Sequence, residues 1–327
     1  MMSNAEEYQK LIKDLEFTEI KPVIKDYSAD RFIVRGTINR RDVLLKILPR
    51  SDKNRVKSYK KEFLVDKLMN EHNKDLKLPV IVKTKVLAQG QNDKYFWVIR
   101  KYYSGLSLSN YYPKKGMLRG YDIIRKTFLN ARSSIIKGIV ENLYSIQKIA
   151  INVRRFGVHK SQLQKRYEDS FDCDLILKCA KLLGQDLSHT ISYTKSHRSE
   201  YFSEKYIVAN VGDLVPPNII VVEKNNIIFS DFEWFCFDNN TMDVAVLWIY
   251  FWRYKKWQDQ LIKLTITNDE LRANFRYSVI RVLLSKMLSI VSGRWGKIEM
   301  MDFYKQHKWA QYLKAAGESF EALMRVK

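Results

Sequence analysis

Short stretches of alternating and branched apolar residues fill the first hundred positions of the chain and predict a small β-rich region. A capping box at Ser3-Asn4-Ala5-Glu6 opens a helix that runs to about Leu15. A second helix is predicted over 52–73, where apolar residues recur near helical spacing. The remaining periodic segments are predicted strands, and they cover residues 17–24, 31–38, 42–48, 80–88 and 95–100. Asn39-Arg40-Arg41 is the tight connection of an antiparallel meander.

The pattern changes after Gly105, and the rest of the chain is predicted to be mainly helical. Ile135, Ile139, Leu143 and Ile146 repeat at intervals of 4, 4 and 3, which is typical of a long helix with one buried face. One β-hairpin interrupts this region, with strands at 218–222 and 227–230 and a polar turn between them. The sequence therefore predicts an α+β protein with a boundary near residue 101, giving parts 1–101 and 102–327.

Composition indicates a globular protein with a reducing, cytoplasmic setting. The chain has 327 residues, of which 46% are hydrophobic and 13% aromatic, enough to build a substantial core. Cys173, Cys179 and Cys236 have neither metal-ligand spacing nor a disulfide pattern. The polar, acidic N-terminus is unlike a secretory signal, and the longest apolar run, 244–252, is too short to cross a bilayer.

A formal net charge of +21 is the most unusual feature of the composition. Such an excess suits nucleic acid, an anionic membrane surface or an acidic substrate, and it also serves plain solubility. Acids cluster against the trend between Tyr201 and Ala245, where seven carboxylates accompany two lysines. A divalent-metal site within a phosphate-attracting surface would have this distribution, as would a solvated acidic patch.

The carboxylate-rich segment contains a specific arrangement of polar side chains. Gly212-Asp213-Leu214-Val215-Pro216-Pro217-Asn218 precedes the hairpin, and Ser230-Asp231-Phe232-Glu233 follows its second strand. Phosphoryl transfer needs a carboxylate to accept the proton of a hydroxyl and oxygen ligands to hold Mg²⁺ against phosphates. Asp213, Asn218 and Asp231 are candidates for these roles. The alternative is an ordinary turn with a proline pair and an ordinary hairpin end.

These motifs resemble the aminoglycoside phosphotransferase and choline kinase group of the protein-kinase-like superfamily. That group has a signature of the form H-G-D-x-x-x-x-N, followed by a hydrophobic strand and I-D-F/W-E/D. The resemblance implies a two-lobed fold, ATP as co-substrate, Asp213 as catalytic base, and Asn218 and Asp231 as Mg²⁺ ligands. It also implies that Asp243 supports the catalytic loop, while Glu233 is a candidate third metal ligand or substrate contact. Val211 departs from the signature, because the family places His there.

The first hundred residues contain the candidates for contacts with the nucleotide. Lys46 stands alone among apolar residues in the third predicted strand, where a kinase-like lobe needs a phosphate-binding lysine. The alternative interpretation, without a function, is a lone lysine on an edge strand. Glu62 is its predicted partner, with Glu71 behind it, and Ser28 is a candidate phosphate contact in a glycine-free loop. The resemblance places adenine against the backbone of Lys101-Tyr102-Tyr103, so 1–101 becomes a nucleotide-binding lobe and 102–327 a catalytic, acceptor-binding lobe.

The function predicted from the sequence is phosphorylation of a hydroxyl on a small molecule. The segment after Asp231 lacks an A-P-E-like element, which disfavours a protein substrate. The basic charge favours a sugar or glycoconjugate over a cationic aminoglycoside, and it adds an anionic membrane surface or glycolipid as a candidate contact on the inner face of a membrane. The alternative is a catalytically weak, kinase-like binding protein that docks on an anionic partner. No nucleic-acid-binding motif is present in the sequence.

Overall fold

A computed structural model describes residues 4–21, 32–76, 85–109, 122–148, 173–291 and 308–326. The chain divides into two compact units. The first contains Met1–Leu106 together with Ile228–Glu233, and the second contains Ser107–Ile227 and Trp234–Lys327. The first unit therefore runs a few residues past the boundary predicted near residue 101, and it also takes in the end of the predicted hairpin.

A five-stranded antiparallel sheet forms the centre of the first unit, in the order β1-β2-β3-β5-β4. Its strands are β1 (Thr18–Lys21), β2 (Phe32–Ile38), β3 (Arg41–Pro49), β4 (Val86–Gln91) and β5 (Tyr95–Lys101). β2 and β3 join through Asn39 and Arg40, whose φ angles of 49° and 62° are left-handed. Two such residues in succession make the hairpin turn whose twist matches that of the flanking strands. The predicted meander is confirmed.

One helix covers each face of this sheet. Helix α1 (Asn4–Asp14) contributes Leu11 and Ile12 to a core that includes Val43, Leu45 and Ile47 of β3. Helix α2 (Lys53–Leu76) contributes Val56 and Tyr59 to a second core, on the other side, with Leu48, Phe96 and Val98. Because alternate residues of a strand point to opposite faces, Lys46 shares the α2 face with Leu48.

The second unit is mainly helical. Within the described residues its helices are α3 (Arg132–Gln147), α4 (Cys173–Leu183), α5 (Ser188–Tyr201), α6 (Met242–Tyr250), α7 (Lys255–Thr265), α8 (Asp269–Val291), α9 (Trp309–Glu318) and α10 (Phe320–Arg325). Trp248, Tyr277, Trp309 and Tyr312 are almost fully buried within it. None of the helices in the described ranges is long and apolar enough to span a membrane.

Short strands accompany these helices: β6 (Leu106–Ser107), β7 (Ile207–Asn210), β8 (Ile219–Val221), β9 (Ile227–Phe229) and β10 (Cys236–Asn239). The predicted polar turn between β8 and β9 is a single 3₁₀ turn, closed by a hydrogen bond from the Val222 N–H to the Asn226 carbonyl. β7 pairs antiparallel with β10. The carbonyl of Ile227 accepts a hydrogen bond from the buried side chain of Asn142 in α3. These contacts fix the ends of the segments that carry the predicted chemistry.

Candidate active site

Lys46 is the centre of a buried charged cluster in the first unit. Its Nζ donates to Oδ1 of Asp231 at 3.0 Å and to Oε1 of Glu233 at 3.1 Å, and it lies 5.2 Å from the ring centroid of Tyr59. Burial and the charge of Arg100 lower the pKa of Lys46, but the two carboxylates raise it, and the net pKa is above its ordinary value. The lysine is therefore a cation held by two anions, and it is not a lone charge on an edge strand.

Asp231 adopts an unusual backbone conformation at the end of β9. Its φ of 67° lies in the left-handed region, where aspartate is tolerated better than most side chains because its short polar group can bond locally. Burial raises the pKa of Asp231, but the charges of Lys46 and Arg100 outweigh that effect and hold it well below its usual range. The carboxylate is thus ionised at neutral pH, and about 29% of the side chain is exposed.

Three carboxylates meet at this point. One oxygen from each of Glu62, Asp231 and Glu233 lies within 4.8 Å of the others. Glu62 and Glu233 are buried, and Asp231 is half-buried. Oxygen donors of this kind are the ligands that Mg²⁺ prefers, so the cluster fits a divalent cation in chemistry and in spacing. Glu233, which the sequence offered as a metal or substrate contact, is part of the cluster.

The predicted ion pair between Lys46 and Glu62 is not formed, although both residues lie in described segments. Glu62 instead forms an ion pair with Arg100, and both side chains are almost fully buried. The sequence reasoning missed Arg100 because it placed this residue in the segment leading to the hinge. In the β3–β5 register Arg100 pairs with Leu44 and Val98 pairs with Lys46, so the two cations share one face of the sheet and compete for the same carboxylates.

The predicted hinge residues continue β5. The N–H of Lys101 donates to the carbonyl of Lys85, and the N–H of Tyr102 donates to the carbonyl of Asp42. Arg35 stacks over the Tyr102 ring at 3.8 Å, and the Lys101 ammonium lies 5.0 Å from the Tyr103 ring centroid. The N–H groups of Lys101 and Tyr102 therefore already have acceptors. The backbone of Tyr103 is the better candidate for a contact with adenine. Ser28 lies outside the described residues.

The predicted catalytic loop is part of the second unit and turns sharply at Gly212. The φ of Gly212 is 86°, and a Cβ there would overlap the carbonyl oxygen of Trp234. Only glycine satisfies both constraints, because a side chain would meet the strained φ and the close backbone together. The glycine of the motif is thus explained by geometry.

Asp213 and Asn218 are held in one tight structure. The Asp213 carbonyl accepts from the N–H of Val215 and from Nδ2 of Asn218, both at 2.9 Å. Pro216 and Pro217 lead a 3₁₀ turn that ends at Asn218. Because the Asn218 nitrogen is the donor, its Oδ1 is the atom that can ligate a cation. The Asp213 side chain is half-buried.

Asp243 braces this loop from the first turn of α6. Its carboxylate accepts from the N–H of Val211 at 2.7 Å and from the N–H of Gly212 at 3.1 Å. Burial raises the pKa of Asp243 to about 7 against the lowering effect of these two bonds. The backbone of Val211 is therefore anchored without a histidine side chain at this position.

Lys286 of α8 is a neighbour of the loop that the sequence did not single out. It hydrogen-bonds to the hydroxyl of Tyr250, its Nζ lies 5.7 Å from the Tyr250 ring centroid, and the charge of Asp213 acts on both groups. The tyrosine and the Asp213 carboxylate raise the pKa of Lys286. The sequence around Lys286 contains no motif. Its proximity to the loop arises from the packing of α6 against α8.

Comparisons with known proteins give structural matches only. The sequence matches no protein-family model and no curated protein sequence. The chain is similar to the crystal structure of aminoglycoside phosphotransferase APH(4)-Ia, with 12% identity, a TM-score of 0.56 and 99% of each chain covered. It is also similar to the GDP complex of aminoglycoside 2'-phosphotransferase-IIIa, with 14% identity, a TM-score of 0.59, and 94% of this chain and 99% of that one covered.

A third similar structure is choline kinase LicA from Streptococcus pneumoniae, with 12% identity and a TM-score of 0.56. The alignment covers 93% of this chain and 96% of that one. The protein therefore has the protein-kinase-like fold of aminoglycoside phosphotransferases and choline kinases, as the sequence predicted.

Proposed function

We propose that this protein is a nucleotide-dependent phosphotransferase that phosphorylates a hydroxyl group of a small molecule. The observation that carries the proposal is the buried cluster in which Lys46 is held by Asp231 and Glu233. The two carboxylates lie 185 and 187 residues after the lysine in the sequence. Burying such charges has a high desolvation cost, and apolar packing could replace them if the site were purely structural. The fold that this chain shares with known phosphotransferases supports the same proposal.

On the nucleotide side, Lys46 is the residue we assign to the phosphates. Its ammonium has two anionic partners in the structure, and triphosphate oxygens would replace one or both of them. Asp231 would then be released toward a cation, with Glu233 beside it. Lys101, Tyr102 and Tyr103 would border the base, with backbone groups as its recognition elements, and Ser28 remains a predicted phosphate contact. Glu62 acts on this site through Arg100.

The residues present fit a divalent cation, with Asp231 as the principal ligand and Glu233 as a further oxygen donor. We assign Asn218 as the second predicted ligand, through Oδ1. When bound, Mg²⁺ supplies positive charge that offsets the charge of the phosphate groups. Similar structures contain ADP, AMP-PNP, ATP or GDP, and we propose ATP as the co-substrate here.

On the acceptor side, Asp213 is the group that would orient the hydroxyl and accept its proton. Asn218 and Asp243 fix the backbone on either side of it, so the point from which the Asp213 side chain projects is held in place. The similar aminoglycoside phosphotransferases include complexes with hygromycin B, kanamycin or streptomycin. The excess of basic residues leads us to propose a sugar or glycoconjugate acceptor here, because a strongly cationic substrate would be repelled.

The experiment is a nucleotide titration followed by a turnover assay with a panel of sugars, sugar acids and amino alcohols. ATP with Mg²⁺ should raise the melting temperature by mass action, and Lys46→Met should abolish most of that shift. Phosphate transfer to one acceptor class, lost in Asp213→Asn, supports the enzyme. Nucleotide binding without transfer to any acceptor would favour the alternative, a kinase-like binding protein. Absence of any nucleotide effect would contradict the proposal.

A further inference from the structure

Exposed lysines lie along one face of helix α2. Four lysines, Lys53, Lys57, Lys60 and Lys67, are exposed. At 3.6 residues per turn they fall within about 80° of one another, and they extend over roughly 21 Å of helix. We call this set the lysine stripe.

Carboxylates are absent from the exposed side of the helix between residues 53 and 67. The two that the helix carries there, Glu62 and Asp66, are buried on the opposite face with Tyr59, Val65 and Met69. Lys60 also lies 5.7 Å from the Phe96 ring centroid, yet the residue remains exposed. Between residues 53 and 67 the helix thus presents one sign of charge to solvent.

Three lysines on other helices of the described chain have a carboxylate partner instead. Lys137, Lys255 and Lys314 each pair with a carboxylate four residues later, at 3.8, 3.0 and 4.0 Å. Such mixed-sign pairing is the usual arrangement of a surface that serves only solubility. Within the described residues, none of the four stripe lysines forms an ion pair with a carboxylate. Between residues 53 and 67 no exposed carboxylate of the helix offsets the repulsion among them, which points to an anionic partner.

The composition of the stripe favours one kind of partner. Between residues 53 and 67 every exposed cation of the helix is a lysine, whose compact, hydrated charge suits diffuse attraction to a charged plane. Nucleic-acid surfaces instead favour arginine forks on base edges and phosphates, with aromatic rings for stacking. Neither an arginine nor an aromatic residue is exposed on the helix between residues 53 and 67. A straight row of charges can also engage a flat surface along its whole length. We propose that the lysine stripe of α2 docks this protein on a membrane surface rich in anionic phospholipid.

The test is sedimentation of the full-length protein with vesicles of phosphatidylcholine, with and without phosphatidylglycerol. The variant replaces all four stripe lysines with glutamine. Each lysine near an anionic surface contributes about 1 kcal/mol, so binding should weaken on the order of 10²- to 10³-fold. The matched control replaces the exposed Lys178, Lys181, Lys195 and Lys263 of the second unit with glutamine, which removes the same charge. That control should change binding by less than about threefold.

Binding to phosphatidylglycerol vesicles should also fall steeply between about 0.1 M and 1 M salt, as the Debye length shortens from about 10 Å to about 3 Å. Equal losses in the two quadruple variants, or no preference for anionic vesicles, would overturn the proposal. Stripe-dependent binding to duplex DNA or RNA without vesicle binding would overturn it in favour of a nucleic acid. A nucleotide titration on all three proteins shows whether the fold is intact. Failure of nucleotide binding in the wild type would contradict the proposed enzyme and leave membrane docking standing.

Discussion

At the scale of single residues, Asp231 meets two separate demands. The residue combines a left-handed backbone with a charged contact to Lys46. Asparagine also tolerates this backbone, whereas alanine would add strain. Asp231→Asn therefore removes the charge of the side chain and keeps the backbone conformation.

We predict that Asp231→Asn folds normally and loses turnover roughly 10²- to 10³-fold, because the transferring phosphate loses an electrostatic anchor. The Mg²⁺ concentration needed for half-maximal turnover should rise. Steady-state assays over a Mg²⁺ series measure both effects. An Asp231→Asn enzyme with the wild-type Mg²⁺ dependence would remove this residue from the cation site.

Sequence reasoning at this scale succeeded where chemistry is encoded locally and failed where it depends on packing. Lys46 stood out as a charge within an apolar strand, and it proved to face Asp231 and Glu233. Its partner was predicted wrongly, because only the strand register shows that Arg100 lies on the same face and takes Glu62. Lys286 had no sequence signal, since its relation to the loop arises from helix packing.

At the scale of elements, the loop from Val211 to Asn218 positions the proposed base, Asp213. Asp243 holds its entry through two backbone amides, and Asn218 closes its exit on the Asp213 carbonyl. The loop is therefore fixed at both ends by hydrogen bonds to its own backbone. The hairpin bounds, the five-stranded sheet and both helices of the first unit were predictable, because hydrophobic period and turn chemistry are local properties.

We predict that Gly212→Ala destabilises the protein by more than Gly184→Ala does. Both glycines have a left-handed φ, but a Cβ at Gly184 meets nothing within 4 Å, whereas one at Gly212 overlaps the backbone of Trp234. Gly184→Ala should cost about 1 kcal/mol from strain alone, and Gly212→Ala roughly 2 to 4 kcal/mol, with loss of activity. Urea denaturation measures both. Equal costs would show that the close approach to Trp234 does not constrain the loop.

At the scale of the whole molecule, stability should depend on pH through Asp243. Burial raises its pKa to about 7 in the folded protein, compared with 3.8 for the free group. Between about pH 4 and 7 the folded state keeps a proton that the unfolded state has lost, so the contribution of Asp243 to stability falls as pH rises. At about 1.4 kcal/mol per pKa unit, the fall is on the order of 1 to 4 kcal/mol.

The measurement compares the free energy of unfolding of the wild type and Asp243→Asn over this range. The asparagine variant should be less stable at low pH, because its amide nitrogen cannot accept from a backbone N–H. The difference between the two proteins should shrink as pH rises, since only the wild type titrates. A difference that stayed constant from pH 4 to 7 would contradict the raised pKa.

The most direct test of the central claim, phosphoryl transfer with Asp213 as base, is a comparison of Asp213→Asn with Lys46→Met on the acceptor that the panel identifies. Asp213→Asn keeps the size of the side chain and loses the proton acceptor, so kcat should fall on the order of 10²- to 10⁴-fold while ATP affinity hardly changes. Lys46→Met should weaken nucleotide binding as well as turnover. An Asp213→Asn protein that retained near-native kcat would contradict the account.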